Sequence, residues 1–117
     1  MTKLVELPEL LAVAEGLGTT PMLLTADADG RPRVAATTLT FGIDGIAERV
    51  SAKAGRKSFA NAERRPLVSL LWPAPPGTRF ALIADGEVLA AVPEPDPEGR
   101  GGDVVIDLSR AMLHVVS

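Results

Sequence analysis

The spacing of hydrophobic positions changes along the chain, from a helical period near its start to short apolar runs divided by turn residues. Leu7-Pro8-Glu9 has the proline and the acidic residue that favour the first turn of a helix. The apolar residues that follow at helical spacing are Leu10, Leu11, Ala14 and Leu17. Gly16 and Gly18 are typical of a helix end, so one short amphipathic helix is predicted.

After residue 20 the pattern is that of strands joined by tight turns. The strand-like runs are residues 21–26, 33–41, 46–51, 80–84 and 88–92. An Asp-Gly pair separates neighbouring runs at three places, namely Asp29-Gly30, Asp44-Gly45 and Asp85-Gly86. Because Asp and Gly both tolerate the positive φ of a hairpin turn, an antiparallel meander is predicted.

Two further elements lie between these strands. Residues 57–65 predict a short helix that begins near Gly55 and ends at Pro66. The uninterrupted apolar run Leu67–Trp72 predicts a strand that is either buried on both faces or lies in a dimer interface.

The end of the chain completes a mainly β domain. Residues 104–108 and 112–116 predict two closing strands with a break near Ser109-Arg110, and the Pro, Gly and acidic residues of 93–102 predict an exposed, mobile loop. Six or seven mostly antiparallel strands with one or two short helices favour a closed or nearly closed barrel, since closure protects edge strands. One domain, residues 1–117, is predicted.

Composition narrows the class of protein. Hydrophobic residues make up 46% of the chain, which excludes a disordered tail, but aromatic residues make up only 3%. An aliphatic core gains less per side chain, so burial of more surface in a homodimer is expected. The chain has no cysteine, which excludes disulfides and thiolate metal sites and fits a cytoplasmic location. No membrane span and no signal peptide are predicted.

The basic residues of this chain are concentrated in residues 49–65, which we call the basic segment. The formal net charge of −3 gives no general reason to bind nucleic acid. Half of the 12 Lys and Arg residues nevertheless lie in this segment, opposed only by Glu63. They are Arg49, Lys53, Arg56, Lys57, Arg64 and Arg65. Such local concentration is typical of a site for an anion.

Within the basic segment a strand ends, a turn with Gly55 follows, and a helix begins. Arg56 and Lys57 lie in the first helical turn, where cations oppose the helix dipole unless a bound anion neutralises them. Arg binds phosphate through two hydrogen bonds, Lys adds a point charge, and the Ser51 hydroxyl is available at the strand end. The alternative is a solvated charged surface, since the spacing matches neither a Walker A loop nor a dinucleotide motif.

The order of motifs along the chain carries a family resemblance. The motifs are Asp29-Gly30-Arg31-Pro32, a Val/Thr strand, a second strand ending in Ser51, Gly55-Arg56-Lys57, Arg65-Pro66 and an apolar strand ending in Trp72. This order resembles the pyridoxamine 5′-phosphate oxidase-like, FMN-binding split-barrel family, most strongly over residues 51–72. The resemblance implies a split β-barrel that binds FMN, or the deazaflavin F420, at the interface of a homodimer.

The same resemblance implies roles for seven residues. Implied contacts of the flavin phosphate are Ser51, Arg56 and Lys57. Implied contacts of the isoalloxazine ring are Ala35, Ala36 and Thr37. Trp72 matches an aromatic residue near the subunit interface, although packing in the core or the interface is the simpler interpretation of a lone tryptophan.

The chain departs from true pyridoxamine phosphate oxidases where their side chains matter. Ala35 stands where they have an arginine, and Phe80, Ala81 and Leu82 stand where they have a glutamine. Their C-terminal Arg/His substrate motif is also missing. We therefore expect no vitamin B6 oxidase and keep two hypotheses. The chain is a flavin- or F420-dependent oxidoreductase of unknown substrate, or a non-catalytic dimeric module that has lost, or only weakly holds, its cofactor.

Other candidate residues have simpler explanations. His114 is the only histidine, and without clustered carboxylates it predicts no metal site and a structural or partly exposed role. The aspartates fit turns, and no serine has a recognisable base, so no catalytic residue is predicted. A third hypothesis, contact with nucleotide or RNA through the basic segment, is weaker because no aromatic residues are interleaved with the charges.

Overall fold

The computed structural model describes residues 2–95 and 101–116, and most of them lie in strands. The strands are β1 (Thr2–Val5), β2 (Met22–Ala26), β3 (Pro32–Ala36), β4 (Leu39–Phe41), β5 (Arg49–Ala54), β6 (Leu67–Trp72), β7 (Phe80–Pro93) and β8 (Gly102–Val115). The helices are α1 (Leu10–Leu17) and α2 (Arg56–Arg64), with 3₁₀ turns at Leu7–Glu9 and Ile43–Gly45. The strands form one antiparallel sheet in the order β3-β2-β6-β7-β8-β5-β4, and β1 pairs with β8.

β3 and β4 are consecutive in the chain but lie at opposite ends of the strand order. The sheet therefore curls, so that its two end strands meet. Thr37, between them, connects both ends. Its backbone N–H donates to Pro21 O at 3.0 Å, and its hydroxyl donates to Lys53 O at 2.7 Å. The Lys53 N–H in turn donates to Thr38 O at 3.1 Å. The fold is therefore a split β-barrel with two short helices, and the single strand predicted over residues 33–41 is divided where it changes partner.

The core fills the inner face of the curled sheet and is largely aliphatic. Its fully buried larger side chains are Leu10, Leu23, Leu70, Leu82, Ile106, Val50 and Val104. The strand β6 contributes Val68, Leu70 and Trp72 to this face, while Leu67 is 75% exposed. The strand is therefore buried on one face only, because its side chains alternate between two faces, and the other predicted alternative, a place in a dimer interface, stays a prediction.

Two of the three predicted Asp-Gly turns are present. In the β2–β3 hairpin, Gly30 has a φ of 88° and its N–H donates to Asp27 O at 2.9 Å. In the β4–β5 connection, Asp44 and Gly45 both have positive φ, at 58° and 74°. These conformations are the ones that favour Asp and Gly at such turns.

The third predicted turn is wrong, and so is the predicted break near Ser109-Arg110. Asp85-Gly86 lies inside the continuous strand β7, and Ser109 lies inside β8. The register between them shifts at this point, because Asp85 pairs with Arg110 whereas Gly86 pairs with Leu108. Both signals therefore mark a β-bulge, where a glycine permits close backbone approach.

Both predicted helices are present, together with a strand that the sequence pattern did not indicate. α1 ends at Gly18, which has a φ of 68°, but Leu11 is 43% exposed and does not share the buried face of Leu10 and Ala14. The unpredicted strand is β1. No helix in the described ranges is long and apolar enough to cross a membrane. Of the predicted loop 93–102, residues 96–100 lie outside the described residues.

α2 is fixed to the β2–β3 hairpin by Asn61, which is 4% exposed. The Asn61 Nδ2 donates to Thr25 Oγ1 at 3.2 Å and to Asp27 Oδ1 at 2.9 Å. Thr25 is itself 4% exposed, so water cannot readily replace this bond. The rotation of α2 about its axis, and hence the direction of its first residues, depends on this contact.

Replacing Gly86 with Ala is expected to destabilise the fold by about 1–3 kcal/mol. A Cβ atom there stands 2.6 Å from Asp107 O and 2.6 Å from Ile106 Cγ2, so the bulge has to open. The control is Gly16→Ala within α1, where nothing lies within 4 Å and a gain of about 0.4–1 kcal/mol is expected. Urea denaturation of both variants checks this, and a Gly86→Ala protein as stable as the parent contradicts the bulge.

Replacing Asn61 with Ala is expected to cost about 1–3 kcal/mol, because the buried Thr25 hydroxyl and the Asp27 carboxylate both lose a donor. Glu63→Ala is the matched control, since Glu63 is exposed on the same helix and its loss is expected to change stability by less than about 0.5 kcal/mol. Thermal and urea unfolding measure both. Equal stabilities of the two variants argue against an anchoring role for Asn61.

Candidate functional site

Two cations of the basic segment are already paired across the sheet. Arg49 Nε lies 2.9 Å from Asp107 Oδ1, and its Nη1 lies 3.3 Å from Asp44 Oδ2. The hydrogen bond to Asp107 is the main cause of a raised pKa of Arg49. Lys53 Nζ lies 3.0 Å from Asp103 Oδ1, which is the main cause of its raised pKa. These pairs remove Arg49 and Lys53 as free anion contacts.

The two arginines at the C-terminal end of α2 also have partners. Arg64 Nη1 donates to Asn61 Oδ1 at 3.4 Å, and Arg65 Nη2 donates to Ala28 O at 3.2 Å. Cations at this end of a helix complement its dipole. Arg64 and Arg65 therefore stabilise α2 and its contact with the β2–β3 hairpin.

Arg56 and Lys57 differ from the other four basic residues. Both are exposed, and neither side chain forms a hydrogen bond or an ion pair with any residue in 2–95 or 101–116. They open α2 after Gly55, whose backbone is extended (φ −72°, ψ 179°) and whose position supplies no side-chain cap. The first N–H groups of α2 therefore lack a side-chain acceptor beside two uncompensated cations.

Lys57 points towards the β2–β3 hairpin. It lines a cleft of about 390 Å³ with Asp27, Asp29, Asn61 and Arg64, which we call the hairpin cleft. Hydrogen bonds from Asn61 and from Arg33, whose Nε lies 2.6 Å from Asp27 Oδ2, hold the pKa of Asp27 below its usual value. With its pKa lowered, Asp27 stays ionised to a lower pH than an ordinary aspartate, and its charge offsets part of the positive potential around Lys57.

Ser51 lies on the outer face of the barrel. The alternate residues of β5, Val50 and Ala52, are fully buried, so Ser51 shares the opposite face with Arg49 and Lys53. The ion pairs of these two residues flank it on that face. Neither Ser51 nor Arg56 lines the hairpin cleft, so among the described residues this cleft contains Lys57 alone of the three predicted phosphate contacts.

The other predicted contacts divide between the two faces of the sheet. Ala36 is exposed, whereas Ala35 is half-buried opposite the buried Leu23. Thr37 is 7% exposed, and its hydroxyl is engaged by Lys53 O. Trp72, 3% exposed, stacks on Phe41 at a centroid distance of 6.5 Å.

Thr37 and Trp72 come together in a second cleft, of about 450 Å³, which we call the α1 cleft. Its walls are α1, the segment after it, β4 and the end of β6. Sequence reasoning missed this cleft because it depends on where α1 lies against the sheet. It also missed the carboxylates that pair with Arg49 and Lys53. The alternation of Asp103, Val105 and Asp107 along β8 was the available signal.

His114 is exposed on β8, where its Nδ1 lies 3.2 Å from the hydroxyl of Thr2 on β1. This position at the pairing of the two strands fits the structural or partly exposed role predicted for it. The contact joins strands and does not bring His114 to either cleft.

Comparison with known proteins identifies the fold. No family model matches the chain, and no curated protein matches it. Among solved structures, an F420 reductase matches with a TM-score of 0.64 and 21% identity, covering 83% of this chain and 94% of its own. HutZ, the heme storage protein from Vibrio cholerae, matches with a TM-score of 0.59 and 18% identity, covering 92% of each chain. At these identities the likeness establishes the split-barrel fold.

Proposed function

We propose that this protein binds a flavin-type cofactor, FMN or F420, through its phosphate. The proposal depends on which cations of the basic segment already have partners. Four of its six cations have partners, while Arg56 and Lys57 stand exposed at the start of α2 without one in the described ranges. A helix N-terminus with free cations is a ready site for a phosphate. The likeness to an F420 reductase supports this choice of cofactor.

The residues present fit a phosphate group better than they fit any catalytic role. Arg56 and Lys57 supply charge, the uncapped N–H groups of α2 supply donors, and Ser51 supplies a hydroxyl from the outer face. Of the three predicted ring contacts, Ala36 presents a small side chain on the same outer face as Ser51, while Ala35 points to the other face and Thr37 is buried. A flavin, when bound, supplies the redox chemistry, and the chain positions it and limits the access of water.

We propose further that a homodimer completes the site. A row of apolar side chains crosses the outer face of the sheet in register, and its members are Ala36, Met22, Leu71, Ile83, Met112 and Leu4. Five inter-strand steps make this outer apolar row roughly 24 Å wide, which approaches the width of a standard interface. Ser51 lies on the same outer face but pairs with Val105, whereas the row crosses β8 at Met112, so a second copy has to extend about 23 Å along β8 from the row to reach the phosphate contacts.

The alternative is a non-catalytic dimeric module that has lost its cofactor or holds it weakly. Two observations favour it. Ala35 leaves the position of the family's arginine without a charge, and the Asp27 carboxylate lies close enough to Lys57 to compete with a bound anion. A spectrum of freshly purified protein that lacks flavin absorbance, and does not change on adding FMN or F420, supports this alternative.

The double variant Arg56→Ala/Lys57→Ala is expected to weaken FMN and F420 binding by at least about 100-fold, because it removes two charge-assisted hydrogen bonds that contribute about 1.5–3 kcal/mol each. Fluorescence titration measures it. The matched control is Arg64→Ala/Arg65→Ala, which removes the same charge from the other end of α2 and is expected to leave binding within about 3-fold. Riboflavin, which lacks the phosphate, is expected to bind parent and variants alike.

Three outcomes contradict parts of this proposal. If neither cofactor binds the parent below the millimolar range, the flavin proposal is wrong. If both double variants weaken binding equally, and RNA competes in a strongly salt-dependent way, the basic segment is a general electrostatic surface. If riboflavin weakens in parallel with FMN in Arg56→Ala/Lys57→Ala, these side chains do not act on the phosphate.

Leu4→Glu is expected to shift the protein from dimer to monomer, because Leu4 is 69% exposed at the end of the outer apolar row and a charge there is costly to bury. Leu89→Glu is the control, since Leu89 is 50% exposed but does not belong to the row. Sedimentation velocity measures the assembly state. A parent that is monomeric at micromolar concentration, or a Leu89→Glu protein that alone dissociates, contradicts this interface.

A further inference from the structure

The α1 cleft is a second, separate concavity that the proposed phosphate site does not use. None of Ser51, Arg56 and Lys57 lines it. Its volume of about 450 Å³ lies within the range of small-molecule sites, roughly 300–1,000 Å³. The question is which chemical class of ligand its walls recognise.

One side of the α1 cleft is apolar and aromatic, and the rest of its lining is polar or charged, with Glu15, Thr19, Thr20, Thr37 and Thr38. Trp72 and Phe41 lie on it with their rings inclined by 30°, and Leu39 and Leu11 stand beside them. The chain has only four aromatic residues, and two of them stack here. Leu11, which does not share the buried face of α1, is 43% exposed and lines this cleft. An apolar wall with paired rings favours a small aromatic molecule.

Hydrogen bonds within the protein hold the walls of the α1 cleft in place before any ligand binds. The Thr19 hydroxyl donates to Pro73 O at 2.6 Å and fixes the segment after α1 over the end of β6. The Thr37 N–H donates to Pro21 O and fixes the opposite end of that segment to β3. Because these walls are preformed, binding loses little conformational entropy.

The charge of the residues that line the cleft narrows the class of ligand further. Glu15, exposed on α1, is the one charged residue that lines the cleft among the described residues, and it has no ion pair there. Threonine hydroxyls complete the rim. We infer that the α1 cleft binds a small aromatic molecule that carries a cationic amine, with the ring beside Trp72 and Phe41 and the amine near Glu15. The cleft includes Thr37 and Trp72, two of the residues predicted to contact the cofactor, but none of the phosphate contacts Ser51, Arg56 and Lys57, so the amine and the phosphate occupy different places.

Trp72 reports directly on this site because it is the only tryptophan. The probes are 2-phenylethylamine, 2-phenylethanol and 3-phenylpropionate, which share a ring and differ in charge. Each is titrated into the cofactor-free protein while Trp72 emission is followed. The amine is expected to bind saturably with a dissociation constant on the order of a millimolar, about 2- to 5-fold more tightly than the alcohol, with the acid weakest.

Glu15→Gln is expected to abolish the preference for the amine while leaving binding of the alcohol unchanged. Glu9→Gln is the matched control, because Glu9 is also exposed near the N-terminus but does not line the cleft. Neither variant is expected to change FMN binding, so failure here is distinct from failure of the proposed function. The inference is overturned if no probe saturates by about 10 mM, if the acid binds best, or if amide chemical shifts change elsewhere than around the cleft.

Discussion

Closure of the sheet at Thr37 and Thr38 is the constraint on which the rest of the molecule depends. There β3 passes into β4, and hydrogen bonds from these residues reach Pro21 on one side and Lys53 on the other. Lys53 stands two residues before the Gly55 turn, so closure also fixes where α2 begins. The same bonds set one wall of the α1 cleft. A buried hydroxyl that satisfies a backbone carbonyl therefore positions both candidate sites at once.

Local pairing of charge explains how a chain with a net charge of −3 presents a site for an anion. Carboxylates of β8 and of the β4–β5 turn neutralise Arg49 and Lys53, and α2 itself engages Arg64. What remains is a pair of cations at one helix terminus. Since exposed charges more than a Debye length apart are screened, a ligand senses this pair rather than the overall charge of the protein.

The sequence pattern predicted most elements because their signals are local. α1, α2 and β6 follow from periodicity and from Gly or Pro at their ends, and the turns at Gly30 and Asp44-Gly45 follow from backbone preference. The turn predicted at Asp85-Gly86 was wrong because the same dipeptide occurs both in tight turns and in β-bulges. Only the pairing with the partner strand distinguishes the two. The site was less predictable, since the β8 partners of Arg49 and Lys53, Asp107 and Asp103, lie fifty or more residues away in sequence.

The position of β8 at the centre of the pairing has a consequence for how the chain is assembled during synthesis. β8 pairs with β1, β5 and β7, and Thr2 lies opposite His114, 112 positions later. A chain that emerges from its amino end can pair β2 with β3 and β4 with β5 early, but β1 and the second edge of β5 stay unpaired until β8 appears. The split barrel therefore becomes cooperative only once β8 has been synthesised.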